Sequence, residues 1–270
     1  MYEILALDLD GTLLNEEHKL SEKNKEELAK LKEEGVRIIL ASGREPTSIL
    51  PYSRKLGLEE MVIGFNGGII SDYTGEEIIY EENIDSEIAK DIIKTCEKKD
   101  IYNVVFIRNT LYVSNKKDKR FEIFRNYSTS KIEEVGSLYN FIEKNNMWNI
   151  IGKLLQCGEN EFLSIFKKEL ERKYSEEISA QFSLPCFLEV YSSKASKGKA
   201  LNRITKSYNL NRESVVAIGD GENDISMIEY AKVGIAMENA LDRVKEKSDF
   251  ITLSNSDDGV SHAIKKYWRD

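Results

Sequence analysis

Two carboxylates, Asp8 and Asp10, stand one residue apart near the start of the chain, with Gly11 directly after them. They follow an apolar run, residues 4–7, that is typical of a buried parallel strand. Since side chains alternate along a strand, both carboxylates are expected on one side, at the edge where open α/β sheets bind ligands. Such a pair suits a two-step phosphoryl transfer, in which one carboxylate attacks phosphorus and its neighbour moves protons. An isolated Asp-x-Asp-Gly is more typical of a turn, so the interpretation depends on the rest of the chain.

A second acidic segment follows a later apolar run, residues 215–218. Asp220, Asn223 and Asp224 have the spacing i, i+3, i+4, so a strand-to-helix turn can bring their side chains together. Carboxylates gathered around Asp8 would repel one another unless a hard divalent cation lay between them. Oxygen ligands of this kind favour Mg²⁺. The sequence therefore predicts a magnesium site.

Donors for a phosphate group stand at two further places in the chain. Ser42 and Gly43 follow the second apolar run, and Lys197 stands just before an expected helix. A hydroxyl, a backbone N–H and an ammonium are the donors that a transferring phosphoryl group requires. Lys194 and Lys199 are neighbouring alternatives to Lys197, and each of the three would ordinarily be a solvated charge. Each motif is weak alone, but together they lie on successive strand ends.

The elements that must position these residues alternate between apolar strands and amphipathic helices at both ends of the chain. This alternation predicts an α/β fold, a Rossmann-like doubly wound parallel sheet with helices on both faces. The expected strands of this sheet are residues 4–7, 36–41, 61–64, 215–218, 233–236 and 250–253.

The middle of the chain has a different pattern and predicts an inserted α+β module. A polar helix is expected over residues 85–99, followed by a hairpin around 103–114. A strand pair is expected at 178–184 and 187–191, interrupted by Pro185. The predicted domains are a core of residues 1–82 and 190–270 and an insert of residues 83–189.

The composition and net charge of the chain argue against several classes of function. The net charge of −8 argues against a nucleic-acid partner, because binding a phosphate backbone needs basic patches. No apolar run approaches a membrane span, and the N-terminal sequence lacks the pattern of a signal peptide. The three widely spaced cysteines indicate reduced thiols, so we expect a cytoplasmic protein. We also expect either a monomer or a small homo-oligomer. His18 and His262 are expected to be exposed and non-catalytic, which leaves a Ser or Cys hydrolase poorly supported.

This order of motifs resembles the haloacid dehalogenase-like superfamily, and within it the Cof-type phosphatase branch, over almost the whole chain. The four segments that carry the resemblance are residues 7–14, 41–44, 196–201 and 219–227. Asn66 and the two glycines after it are similar to an Asn-Gly-Ala segment at the rim of that branch's active site. The chain departs from the pattern at Glu238, where the family usually has Gly.

The resemblance implies a role for each site residue. Asp8 would be the nucleophile and Asp10 the general acid and base. The ligands implied for Mg²⁺ are Asp8, the backbone carbonyl of Asp10, Asp220 and, in or next to the metal shell, Asp224. The groups implied for the phosphoryl oxygens are Ser42, Gly43, Lys197, Asn223 and the backbone N–H of Leu9. The third segment selects Lys197 over its neighbouring lysines.

The resemblance also implies that the insert is an α/β cap, which closes over the cleft, excludes water and selects the leaving group. The expected function is a Mg²⁺-dependent phosphatase acting on small phosphate esters, either sugar phosphates or cofactor phosphates, through an aspartyl phosphate. Two alternatives stay open: a phosphomutase of the same superfamily, and a phospho-accepting regulatory or binding protein. Asp10 argues against dehalogenation, which needs no carboxylate there, and against a long-lived phosphorylated signal.

Overall fold

The computed structural model describes residues 2–125, 128 and 130–269. The chain forms two compact units. The first combines the segment up to Ile79 with the segment from Ser196 onwards, and the second is Tyr80–Ala195.

The first unit is built on a parallel sheet of five strands in the order β14-β13-β12-β1-β2. Its strands are β1 Ile4–Leu7, β2 Arg37–Leu40, β12 Val215–Gly219, β13 Val233–Ala236 and β14 Phe250–Ile251. All four residues of β1 are fully buried, because helices cover both faces of the sheet. The predicted parallel α/β sheet is confirmed.

The helices of this unit begin where the sequence provides caps. Ser21 accepts the N–H of Asn24 at the start of α1, and Ser196 accepts the N–H of Lys199 at the start of α7. These helices are α1 Glu22–Glu33, α2 Pro46–Lys55, α7 Lys197–Ser207, α8 Ile225–Tyr230, α9 Asp242–Lys245 and α10 Gly259–Trp268. A small second sheet has the order β3-β4-β5, with strands Val62–Gly64, Ile69–Ser71 and Ile78–Glu81.

The second unit is built on a six-stranded, mostly antiparallel sheet in the order β10-β11-β9-β6-β7-β8. Its strands are β6 Tyr102–Ile107, β7 Thr110–Val113, β8 Lys131–Glu134, β9 Lys153–Cys157, β10 Ile178–Leu184 and β11 Phe187–Ser192. Its helices are α3 Ser86–Lys98, α4 Lys119–Phe124, α5 Leu138–Lys144 and α6 Asn160–Tyr174. A buried apolar cluster of its own, from Ile84 to Val190, fills this unit.

Several element boundaries differ from the sequence prediction. The strand expected at 250–253 ends at Ile251, and Leu253 after it is 44% exposed. A short 3₁₀ turn, Glu222–Asp224, precedes α8, which begins at Ile225. The sequence reading also missed α4 and β8.

Among the described residues, no helix has both the length and the apolar character needed to cross a membrane. Cys96, Cys157 and Cys186 are all free thiols, which confirms the expectation from their spacing.

Candidate active site

The carboxyl ends of β1, β2 and β12 form one edge of the parallel sheet. Leu7, the last residue of β1, lies opposite Leu40 in β2 and Ile218 in β12. The N–H of Asp8 continues the ladder by donating to the carbonyl of Ile218 at 3.1 Å. The residues that follow these three strands are therefore brought to one place. The strand order reverses at β1, because β2, the next strand in sequence, lies on one side of it and the much later β12 lies on the other. Open α/β sheets bind ligands at the carboxyl ends of the strands beside such a reversal.

Asp8 is bound to a buried ammonium. The Nζ atom of Lys197 lies 2.6 Å from Oδ1 of Asp8 and 2.5 Å from Oδ1 of Asp224. Lys197 is completely buried, and so is Asp224. Lys197 is the first residue of α7, where the Ser196 cap fixes the start of the helix. Three residues from distant parts of the sequence thus form one buried ionic group.

Asp224 and Asp220 lie on a turn that closes on itself. Oδ2 of Asp224 accepts the N–H groups of Asp220 and Gly221, each at 2.9 Å. Asp220 in turn accepts the hydroxyl of the fully buried Thr12 at 2.7 Å. Gly11 has a φ of +81°, and a Cβ placed on it would lie 2.3 Å from Oδ2 of Asp220. Glycine therefore allows the loop after β1 to approach Asp220 closely.

The charges of this group do not balance. One ammonium faces the carboxylates of Asp8, Asp220 and Asp224, which leaves an excess of two negative charges. Burial, followed by the charge of Asp224, raises the pKa of Asp220 to about 6. The same two causes raise the pKa of Asp8, while Lys197 opposes them. Burial alone would lower the pKa of Lys197, but the two carboxylates outweigh it and raise the pKa.

The donor set fits a divalent metal ion. Asp8, Asp220 and Asp224 each offer one carboxylate oxygen, and these three atoms lie within 4.8 Å of one another. Hard cations such as Mg²⁺ bind oxygen ligands of this type. A divalent cation would also balance the two excess charges that raise the pKa values of Asp8 and Asp220.

The predicted phosphate-binding residues lie at the same edge. Ser42 is 2% exposed, and Asn223 donates its side-chain N–H to Oδ1 of Asn66 at 2.8 Å. Gly43 packs against the same amide, since a Cβ on it would lie 2.9 Å from Oδ1 of Asn66. The side chain of Leu9 points into the apolar core and is fully buried. The contact between Asn66 and Asn223 could not be read from their separation in sequence.

Gly67, the residue after Asn66, packs against the backbone just before Lys197. It has a φ of +97°, and a Cβ placed on it would lie 2.2 Å from the backbone oxygen of Ser196. The close approach of the two backbones requires glycine and holds the residue just before Lys197 in place.

Asp10 does not join the carboxylate cluster through its side chain. Arg44 donates from Nε to Oδ2 of Asp10 at 2.8 Å and from an Nη atom to Oδ1 at 2.5 Å. Nδ1 of His18 lies 3.3 Å from Oδ1 of the same carboxylate. His18 is exposed as expected, but its position beside Asp10 was missed. Neither contact of Asp10 could be predicted from the sequence, because each depends on side-chain direction rather than on spacing.

The loop after β13 also contacts the loop after β1. The side-chain N–H of Asn239 donates to the carbonyl of Gly11 at 2.8 Å, and the N–H of Asn255 donates to Oδ1 of Asn239. Glu238, where the resembled family usually has Gly, is exposed and has no left-handed backbone. Its N–H donates to the carbonyl of Leu253 at 3.3 Å, so the turn accommodates a side chain here.

Comparison with known proteins agrees with this geometry. The chain matches the haloacid dehalogenase-like hydrolase family over residues 5–264. Phosphatase YwpJ of Bacillus subtilis is 31% identical, over 97% of this chain and 99% of its own length. The 5-amino-6-(5-phospho-D-ribitylamino)uracil phosphatase YitU of the same organism is 27% identical, over 98% of this chain and 97% of its own length. The structure of a haloacid dehalogenase-like hydrolase from Bacteroides thetaiotaomicron superposes with a TM-score of 0.89 and 30% identity, covering 99% of this chain and 100% of that one.

The chain therefore belongs to the haloacid dehalogenase-like hydrolases. Within that family its relatives are phosphatases, and the protein is a phosphatase. The resemblance noted from the four sequence segments is confirmed.

Proposed function

We propose that the protein is a Mg²⁺-dependent phosphatase that hydrolyses small phosphate monoesters through an aspartyl phosphate on Asp8. The observation that carries this proposal is the buried Asp8 carboxylate at the carboxyl end of β1. It is bound to Lys197 and lies beside the carboxylates of Asp220 and Asp224. A nucleophile, a cation and a candidate metal site thus share one sheet edge.

In the proposed reaction, Oδ of Asp8 attacks phosphorus and the bond from phosphorus to the ester oxygen breaks. Asp10 gives a proton to the leaving alcohol. Asp10 then takes a proton from water, which attacks the aspartyl phosphate, releases inorganic phosphate and restores Asp8. Ser42, Gly43, Lys197, Asn223 and the N–H of Leu9 would hold the phosphoryl oxygens.

The metal site of the proposal consists of Asp8, the backbone carbonyl of Asp10 and Asp220, with Asp224 in or next to the shell. When bound there, Mg²⁺ would neutralise the charge of the carboxylates and of the phosphoryl group. The identity of the ion rests on the oxygen ligands and on the two unbalanced charges described above.

The unit Tyr80–Ala195 would serve as the cap domain that selects the leaving group. The relative YitU is named for a phosphorylated ribitylamino compound, which is an ester of a primary alcohol. We therefore propose sugar phosphates or cofactor phosphates as the substrate class. The proposal includes a cytoplasmic location and a monomer or small homo-oligomer.

The test is phosphate release from a panel of sugar phosphates, nucleotides, pyridoxal phosphate and an aryl phosphate, with Mg²⁺ and with EDTA. Release that requires Mg²⁺ and is abolished in Asp8→Asn, with an unchanged circular dichroism spectrum, would support the proposal. Asp242→Asn is the matched control, because Asp242 is exposed and lies outside the site.

Three outcomes would contradict the proposal. Wild-type turnover in Asp8→Asn would exclude Asp8 as nucleophile. An isomeric phosphate ester as product would indicate a phosphomutase. An aspartyl phosphate stable for hours in the isolated protein would indicate a regulatory phospho-acceptor.

A further inference from the structure

The side chain of Arg44 is bound to Asp10 through two parallel hydrogen bonds. Nε and one Nη atom of the guanidinium meet the two carboxylate oxygens separately, at 2.8 and 2.5 Å. Paired contacts of this kind fix the direction of a carboxylate as well as its position. The two side chains are 25% and 39% exposed, so the pair lies at the border between the core and solvent.

The backbone of Arg44 is fixed as firmly as its side chain. Its N–H donates to Oγ of Ser42 at 3.1 Å, and its carbonyl accepts the N–H of Phe65 at 3.0 Å. The guanidinium carbon lies 5.7 Å from the centre of the Tyr52 ring, within range of a cation–π contact. Arg44 is therefore held at both ends before it contacts Asp10.

His18 contacts the same carboxylate through Nδ1, at 3.3 Å from Oδ1. Oδ1 of Asp10 thus has two nitrogen neighbours, while Oδ2 has the Nε atom of Arg44. A guanidinium keeps its charge at every working pH, so Arg44 offers this carboxylate a constant positive partner.

We propose that Arg44 is a positioning residue for the general acid and base, acting on the reaction through Asp10 rather than through the substrate. This inference rests on the proposed function, which assigns proton transfer to Asp10. The guanidinium edge formed by Nε and one Nη is already committed to Asp10, which leaves that edge unable to bind a phosphate. Since a misplacement of about 1 Å can cost about 100-fold in rate, the orientation of this carboxylate matters.

The inference is tested by comparing esters that differ in their need for a proton. An alkyl phosphate, such as glycerol 3-phosphate, must receive a proton as the alcohol leaves, whereas 4-nitrophenyl phosphate has a leaving group that departs as an anion. General acid catalysis contributes roughly 100- to 10,000-fold, so Arg44→Met should lower kcat/KM for the alkyl ester by roughly 10- to 100-fold. The activated aryl ester should lose only a small part of its rate.

Two further variants make the result independent of the folding of Arg44→Met. Arg44→Lys keeps the charge but cannot form the paired contact, so it should show the same preference for the aryl ester with a smaller defect. In an Asp10→Ala background, Arg44→Met should have no further effect on either ester, because the two residues act as one unit. Arg54→Met is the control, since Arg54 is exposed at the end of α2.

An equal loss of kcat/KM on both esters, additive with Asp10→Ala, would overturn the inference and assign Arg44 to substrate binding. A wild-type protein that releases phosphate from neither ester would overturn the proposed function, and with it this inference. The two failures are distinguished by the wild-type measurement alone.

Discussion

Lys197→Met removes an ammonium that is hydrogen-bonded to two buried carboxylates, those of Asp8 and Asp224. Methionine has a similar length and is apolar, so the variant tests the charge rather than the volume. In the variant, the buried carboxylates of Asp8 and Asp224 and the half-buried carboxylate of Asp220 have no ammonium beside them. The structure therefore predicts a large loss of stability that depends on pH.

The magnitude follows from the burial of the group. Removing one partner of a buried ion pair costs about 3–5 kcal/mol, a large part of the roughly 5–15 kcal/mol that stabilises a typical protein. Without Lys197, which opposes the rise in the pKa of Asp8 caused by burial and by Asp224, the Asp8 carboxyl is expected to take up a proton on folding. Acidification then stabilises the folded variant by about 1.4 kcal/mol per pH unit for each such proton. Between about pH 7.5 and pH 5.5, the gap to the wild type should therefore narrow, by at most about 2.7 kcal/mol for one extra proton that the variant alone takes up.

The assay is urea unfolding of metal-free protein at several pH values, with Lys199→Met as the control. Lys199 is an exposed lysine on the same helix. Turnover of Lys197→Met should also fall by roughly 100- to 1,000-fold, as for the loss of one preorganised donor. If Lys197→Met and Lys199→Met lose equal stability at every pH, the electrostatic reasoning is refuted.

Two further predictions concern the metal site and the backbone beside Lys197. Saturating Mg²⁺ should raise the unfolding temperature more at about pH 7.5 than at about pH 5.5. Asp220 has a pKa of about 6, so at the lower pH a proton competes with the ion for its carboxylate. A rise of equal size at both pH values would contradict this. Gly35→Ala should lose about 1–2 kcal/mol because of its positive φ, and Gly67→Ala should lose more, because its φ is also positive and its Cβ would collide with the backbone of Ser196. Gly67→Ala alone should also lose turnover, because its Cβ would meet the backbone of Ser196 whereas the space around Gly35 is open; equal turnover in the two variants would count against the proposed packing.

The sheet edge could be predicted from the sequence because each strand that forms it has a clear signal in its own residues. Short apolar runs such as Ile4–Leu7 form strands, and the ends of parallel strands meet at one edge. Residues of the right type at those ends, Asp8 and Asp220 among them, could therefore be grouped from the sequence alone. The grouping of Asp8, Asp220 and Asp224 in the structure follows from this rule.

Contacts that cross between loops could not be predicted in the same way. The pairing of Arg44 with Asp10, and of Asn66 with Asn223, depends on the direction of long or branched side chains. No spacing rule could name Asp10 as the partner of Arg44, because the two residues lie on different loops.

The elements missed in the second unit have weak local signals. The α4 helix Lys119–Phe124 has only six residues, too few to be stable without tertiary contacts. The β8 strand Lys131–Glu134 has three charged residues in four and lies at an edge of its sheet. Both depend on neighbours in the fold, which a single sequence does not display.

The position of β1 between β12 and β2 has a consequence for how the protein is made. Thr12 and Asp220, which meet beside Asp8, are 208 positions apart, so their contact closes a very long loop. At roughly 5–20 residues per second, a ribosome needs about 10–40 s to make the intervening chain. The second unit is continuous in sequence and is complete before β12, β13 and β14 have been synthesised. We therefore expect the acidic site to assemble last, when the late strands complete a sheet that was begun by the first residues of the chain.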